Sequence, residues 1–130
     1  MLNKIIPFLL LIVVSFTLIR CGQRGSPTGG PKDIISPIIK ESIPMNNSTN
    51  FTGRKIIFEF DEYVTVSGFY NEFVISPPIK KQPTYKLKGK KLILNFDSTF
   101  SKNTTYSIFF GKAIKDLNGG NYLEENHFVF

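Results

Sequence analysis

The sequence predicts an all-β protein, an antiparallel β-sandwich preceded by a secretion signal and a flexible tether. Three observations predict this fold class. From residue 34 onward, apolar residues recur at every second position, and turn-forming residues interrupt them at intervals of roughly ten to fifteen residues. The same region has no convincing helical periodicity. Of the 130 residues, 42% are apolar and 14% aromatic, which is enough for one core of ordinary size.

The first element is an export signal at residues 1–20. Lys4 provides a positive charge, and a run of apolar residues broken at three positions fills residues 5–19. This length is typical of a signal-peptide core and is shorter than the roughly 20 residues of a membrane-spanning helix. A buried helix is the alternative, but nothing downstream has the periodicity to pack against it. We therefore expect export.

Cys21, the only cysteine of the chain, follows this segment directly. A lone cysteine in an oxidising compartment has no intramolecular disulfide partner. The stretch Leu18-Ile19-Arg20-Cys21 resembles the lipobox of bacterial lipoproteins, although Arg20 stands where that pattern has a small residue. The resemblance implies a lipoprotein signal peptide at residues 1–20 and acyl chains on Cys21, two or three of which anchor a protein stably in a membrane. A plain secretory signal and a buried free cysteine are the alternatives.

The next segment, residues 21–33, is predicted to be a tether with the lipidated Cys21 at its start. Its four glycines and two prolines disfavour regular structure. No acidic run follows Cys21. The segment therefore lacks an acid-rich stretch that would resemble the surface-export signal of Bacteroidota lipoproteins. We expect a cell-envelope location, as an outer-membrane lipoprotein that faces the periplasm.

Residues 34–130 carry the predicted strands. The inward positions of the clearest four are Ile56, Phe58 and Phe60; Leu92, Leu94 and Phe96; Tyr106, Ile108 and Phe110; and Phe128 and Phe130. Turn signals separate them at residues 44–53, 76–78, 88–90, 101–103 and 116–121. Short strands in this order predict an antiparallel sandwich, and the segment has about the length of one immunoglobulin-like domain.

Four stretches in this order resemble the bacterial immunoglobulin-like domain first described in S-layer proteins. They are "PIIKESIPMNNSTNF", "IIFEFDEYV", "NTTYSIFF" and "AIKDLNGGNYL…HFVF". The start of the mature chain, "CGQRGSPTGGPKD", is similar to Bacteroidota lipoproteins that carry this domain just after the anchor. The resemblance covers residues 34–130. It implies a non-enzymatic envelope protein that presents the domain as an interaction or spacer module, with a last strand that continues past Phe130.

Several residues are assigned structural rather than chemical roles. Tyr106 has the position of a corner tyrosine, whose hydroxyl bonds nearby backbone, and Phe58, Phe60 and Phe128 are assigned to the core. His127 is the only histidine, so no zinc site or cysteine–histidine pair can be assembled. We therefore predict no catalytic residue, no metal and no cofactor.

Two groups of oxygen-bearing residues offer alternatives to that prediction. Asp116, Asn118 and Asn121 could offer calcium ligands, but ordinary turn chemistry accounts for them. Glu59, Asp61 and Glu62 form an acidic cluster of three residues, and a solvated sheet face accounts for it. Neither group is assigned a site.

The charge pattern favours surface contacts over nucleic acid. The net charge is +6, but only Arg24 and Arg54 remain as arginines after the signal, so no nucleic-acid partner is predicted. A cluster of lysines surrounds one predicted hairpin and either protects an edge strand or contacts anionic lipid or polysaccharide. Its members are Lys80, Lys81, Lys86, Lys88, Lys90 and Lys91.

An envelope protein or polysaccharide is the expected partner, besides the membrane itself. The alternative function is a carbohydrate-binding module for cell-envelope polysaccharide. Its platform would be exposed aromatic side chains, for which Tyr63, Tyr70, Tyr85 and Tyr122 are available. The chain has no tryptophan, which counts against this alternative.

Overall fold

Nine strands and one helical turn follow one another along residues 29–130, the part of the chain that the computed structural model describes. Their bounds are β1 Ile39–Ile43, β2 Lys55–Phe60, β3 Val64–Val66, α1 Phe69–Glu72, β4 Val74–Ser76, β5 Thr84–Lys88, β6 Lys91–Asn95, β7 Ser107–Phe109, β8 Ile114–Asp116 and β9 His127–Val129. The predicted signal peptide, Cys21 and most of the predicted tether lie outside the described residues. Residues 29–38 contain neither helix nor strand. Within residues 29–130, no helix combines the length and the apolar character needed to cross a bilayer.

All strand pairs between residues 29 and 130 are antiparallel. β1-β2-β6-β5 form a four-stranded sheet, β4-β7-β9 a three-stranded sheet, and β3-β8 a separate pair. Phe58 of the first sheet packs edge-to-face against Phe110 and Phe128, with ring centroids 5.1 and 4.9 Å apart. Phe128 belongs to β9 and Phe110 directly follows β7, so these contacts join the two larger sheets face to face. The predicted all-β, immunoglobulin-like sandwich is confirmed.

Strand β2 shows why the alternating sequence folds this way. Ile56, Phe58 and Phe60 are buried, whereas Ile57 and Glu59 between them are only half-buried. Successive side chains of a strand point to opposite faces, so one face of β2 lines the core. Burying one large apolar side chain contributes about 1.5–3 kcal/mol. A shift of one residue would exchange the two faces, and the register is therefore strongly fixed.

Tyr106 and Phe130 extend the pairing of β7 and β9 by one residue at one end of the sandwich. The Tyr106 N–H donates to the Phe130 carbonyl at 2.8 Å, and the Phe130 N–H donates back at 3.0 Å. Their rings stack with centroids 5.7 Å apart. The Tyr106 hydroxyl accepts a hydrogen bond from the Ser101 N–H at 3.2 Å. Tyr106 thus ties the loop before β7 to the end of β9.

The helical turn α1 is an element that the sequence periodicity does not predict. Gly68 precedes it with φ +60°, in the left-handed region that favours glycine. Phe69 is buried and packs against Phe73 and Tyr85 at ring-centroid distances of 4.8 and 4.5 Å. A single turn is too short to be stable by propensity, so this aromatic packing holds it.

Candidate functional site

The lysine cluster lies on and around the β5–β6 hairpin, whose two-residue turn begins at Gly89 with φ +61°. Two of its lysines are in ion pairs: Lys81 is 2.7 Å from Asp97, and Lys91 is 2.8 Å from Glu59. The hydrogen bonds to these carboxylates raise the pKa of both ammonium groups. Much of the predicted basic surface is therefore neutralised locally.

A third lysine of the cluster is also engaged. Lys90 donates to the Asp61 carbonyl oxygen and lies 5.8 Å from the centre of the Tyr63 ring. Lys80, Lys86 and Lys88 are exposed and form no ion pair within the described residues. These three lysines attract an anionic surface only weakly, because salt screens exposed charges.

The acidic run that follows β2 does not act as one cluster. Glu59 pairs with Lys91, and the Asp61 carboxylate accepts a hydrogen bond from the Ile38 N–H at 2.9 Å. Glu62 instead joins two carboxylates from distant parts of the chain, Asp33 and Asp116. One oxygen from each of these three lies within 4.8 Å of the others.

We call Asp33, Glu62 and Asp116 the acidic cluster. Burial raises the pKa of Glu62, and the neighbouring charges of Asp116, Asp61 and Asp33 raise it further. Burial also raises the pKa of Asp116, but hydrogen bonds from Asn121, Gly120 and Gly119 outweigh it, so the pKa of Asp116 is lowered overall. Asp116 is therefore held as a carboxylate at neutral pH.

The hydrogen bonds around Asp116 are internal to the fold. The Asn121 amide donates to Asp116 at 2.7 Å and also to the carbonyls of Asp33 and Ile35, at 3.2 and 3.0 Å. The Gly120 N–H donates to the second oxygen of Asp116. Asn118, the third residue of the calcium hypothesis, is exposed. The three carboxylates of the acidic cluster could each offer one oxygen to a cation. The hydrogen bonds of Asp116 and Asn121, however, are explained by a structural role, because they link the β8 turn to the segment before β1.

The four candidate tyrosines of the carbohydrate alternative fall in two places. Tyr70 on α1 lies beside Tyr85 on β5, with ring centroids 6.1 Å apart. Tyr63 and Tyr122 flank the β3–β8 pair instead: the Tyr63 carbonyl accepts from the Leu117 N–H, and Tyr122 bridges to Lys115. His127 lies elsewhere, on β9, with its ring stacked on Phe109 at 4.3 Å.

A groove that the sequence prediction missed opens where β2 begins and β9 ends. Its walls are residues 47–52, from the loop before β2, and residues 100–106, from the loop before β7. Val129 and Phe130 complete the lining. The groove has a volume of about 480 Å³, within the range of roughly 300–1,000 Å³ that is usual for small-ligand pockets. We call this feature the asparagine groove.

The walls of the asparagine groove have a distinctive backbone. In residues 29–130, the non-glycine residues with positive φ are Asn47, Asn50 and Asn103, at +61°, +58° and +55°. All three line the groove. Asparagine is the non-glycine residue best suited to this region, and such conformations concentrate at functional loops. The signal in the sequence was present as "NNSTN" and "KNTT", but turn chemistry alone explains such stretches.

The base of the groove is aromatic. Phe51 and Phe100 are half-buried, with ring centroids 5.8 Å apart, and both pack against Phe130, at 5.4 and 4.7 Å. Among the lining residues there is no carboxylate, and Lys102 is the one charged side chain. The groove therefore combines apolar rings with neutral amides and hydroxyls.

Comparison with known proteins identifies one family. A family model described as Bacterial Ig-like domain matches residues 33–130. No curated protein and no solved structure matches the chain.

Proposed function

Because the chain belongs to the bacterial Ig-like domain family, whose domains are typically non-enzymatic interaction modules, we propose that it is a non-catalytic cell-envelope module anchored by lipid on Cys21. One observation carries the proposal. Cys21 lies between an apolar run at residues 5–19 and a Gly/Pro-rich segment, and the family domain begins at residue 33. An anchor, a tether and a folded module follow one another in that order.

The tether limits where the module acts. Residues 22–33 span at most about 40 Å when fully extended. The domain therefore stays near its membrane and meets partners that are themselves close to that membrane. We place it on the periplasmic face of the outer membrane, because no acidic run follows Cys21. Its partners are then other proteins or polysaccharides of the envelope.

The Cys21→Ser variant tests the anchor in the full chain, expressed in a bacterium that makes lipoproteins. We expect the unaltered protein in the membrane fraction, with the mass of its first mature residue increased by acyl chains. The variant should move to the soluble fraction. Ser26→Ala, in the same tether, is the matched control and should stay with the membrane. Equal fractionation of both variants, together with an unmodified Cys21 in the native protein, would overturn the proposal in favour of a plain secretory signal.

A further inference from the structure

We infer that the asparagine groove binds a neutral oligosaccharide. This inference rests on the proposal that the chain is a non-catalytic interaction module, and it names the chemistry of the partner. It does not depend on the lipid anchor. Four features of the groove point to this ligand: the hydrogen-bonding capacity of its walls, their rigidity, the aromatic base and the charge of the lining.

The walls offer unused hydrogen-bonding groups. The side-chain amides of Asn47, Asn50 and Asn103 are exposed to solvent and form no hydrogen bond with other residues of the described chain, so a ligand can reach them by displacing water. Each amide carries both donors and acceptors, as does each hydroxyl of a sugar. Ser48 Oγ also has no partner within residues 29–130, but this oxygen is sealed from solvent, so the groups that a ligand can reach are the three amides.

The walls are also held in place before any ligand arrives. The Asn46 side-chain oxygen accepts from the Val129 N–H at 2.8 Å, and the Asn47 N–H donates to the Val129 carbonyl at 2.7 Å. On the other side, Thr104 Oγ1 donates to the Lys102 carbonyl at 3.1 Å. Together with the bond between Ser101 and Tyr106, these contacts fix both loops. A site that is already ordered loses less entropy on binding.

The aromatic base and the charge select the class of ligand. One face of a pyranose ring is made of C–H groups, which pack on aromatic rings such as the partly exposed Phe51 and Phe100, while its hydroxyls reach the surrounding amides. An anionic ligand would find the single side-chain cation of Lys102, and a cationic ligand would find no side-chain carboxylate in the lining. Neutral amides and hydroxyls around an apolar base fit a neutral sugar.

Binding can be measured by saturation-transfer NMR and calorimetry on the full chain, purified in a zwitterionic detergent that has no sugar headgroup. The probes are three neutral trisaccharides, built from glucose, mannose and N-acetylglucosamine. An oligogalacturonate and a neutral tetrapeptide represent anionic glycans and peptides. We expect at least one neutral trisaccharide to bind, and we expect it to outcompete both other probes.

The variants Asn50→Gly and Asn103→Gly locate that binding. Glycine tolerates the positive φ of both positions, so each change removes an amide without straining the backbone. One neutral hydrogen bond corresponds to about a threefold to tenfold change in affinity, and we expect each variant to weaken binding by that factor. Asn118→Gly, which changes an exposed asparagine in the β8 turn, is the matched control and should bind like the native chain.

Three results would overturn the inference. One is the absence of binding to all three neutral trisaccharides by a chain whose thermal melt shows a folded domain. Another is binding that both Asn50→Gly and Asn103→Gly leave unchanged. The third is preferential binding of the oligogalacturonate or the peptide. Membrane fractionation of the same groove variants should match the native chain, so a failure of this inference is distinguishable from a failure of the anchor proposal.

Discussion

The two ends of strand β2 carry polar loop clusters of opposite character. Before β2 lies the asparagine groove, whose amides are free of partners within the described chain. After β2 lies Glu62 of the acidic cluster, where Asp116 accepts hydrogen bonds from Asn121 and Gly120. Asp116 makes its hydrogen bonds within the fold, whereas the solvent-exposed amides of the groove make none with other residues of the described chain.

This difference separates a structural role from a binding role. Polar groups whose hydrogen bonds are made within the fold stabilise that fold, and removing one leaves its partners unpaired. Polar groups at a concave surface without such bonds contribute little to stability and are available to a ligand. Two members of the acidic cluster, Glu62 and Asp116, already stand out in the sequence, yet by this criterion the neutral groove is the better candidate for a site.

The largest loss of stability is expected from Phe128→Ala, which changes the core that supports both ends of β2. Phe128 is buried against Phe58, and truncating such a side chain typically costs about 3–5 kcal/mol. Val129→Ala, one residue along the same strand and only half-buried, should cost much less. Denaturant unfolding of both variants measures the difference. A larger loss for Val129→Ala would mean that β9 faces the other way, and the groove could not then be closed by this strand as described.

A smaller but clear loss of stability is expected from Asp116→Asn. The substitution removes the charge and leaves donors from Asn121 and Gly120 facing a weaker acceptor, so thermal melts at neutral pH should show a Tm lower by several degrees. Asn118→Ala, in the same turn but exposed, should leave the Tm nearly unchanged. If the two variants melt alike, the acidic cluster is not a structural link.

The pH dependence of this loss has a defined sign. The pKa of Asp116 is lowered in the folded protein, so the stability it contributes is fully present above its unfolded pKa of about 3.9. That stability is lost as the pH falls through the folded pKa. Asp116 also raises the pKa of Glu62, so the measurement is made with Glu62→Gln in both proteins, which removes the titration of Glu62. In that background the difference in Tm caused by Asp116→Asn should be constant near neutral pH and shrink in acid. A difference that grew in acid would contradict the assignment.

The sandwich could be predicted from the sequence because apolar and other residues alternate strictly in the strands whose inward side chains are fully buried. The alternating positions of β2 and β6, from Ile56 to Phe60 and from Leu92 to Phe96, are all core residues in the structure. The three-residue strands β3, β4 and β8 are too short to show a period, and α1 depends on the contact of Phe69 with Tyr85. These elements depend on packing between segments that are distant in the sequence, and a local sequence pattern cannot show such packing.

The clusters were harder to predict than the strands for the same reason. Asp33, Glu62 and Asp116 are far apart in the chain and meet only because β1, β3 and β8 are placed by the fold. The groove likewise needs two loops that are about fifty residues apart in sequence, each of which has the composition of an ordinary turn. Predicting the groove from sequence would have required knowing that the loops before β2 and before β7 lie side by side.

The smallest effect on stability is expected within the groove, where two hydroxyls give opposite predictions. Thr104 Oγ1 has a partner in the Lys102 carbonyl, so Thr104→Ala should lower the stability by about 0.5–1.5 kcal/mol. Ser48 Oγ is buried with no partner in residues 29–130, so Ser48→Ala removes an unsatisfied group and should be neutral or stabilising by up to about 1 kcal/mol. Urea unfolding of both variants, fitted with a common slope, resolves differences of this size when the midpoints are compared. A loss for Ser48→Ala as large as that for Thr104→Ala would show that the Ser48 hydroxyl is already satisfied within the fold. The groove would then resemble the acidic cluster, and the contrast between the two ends of β2 would disappear.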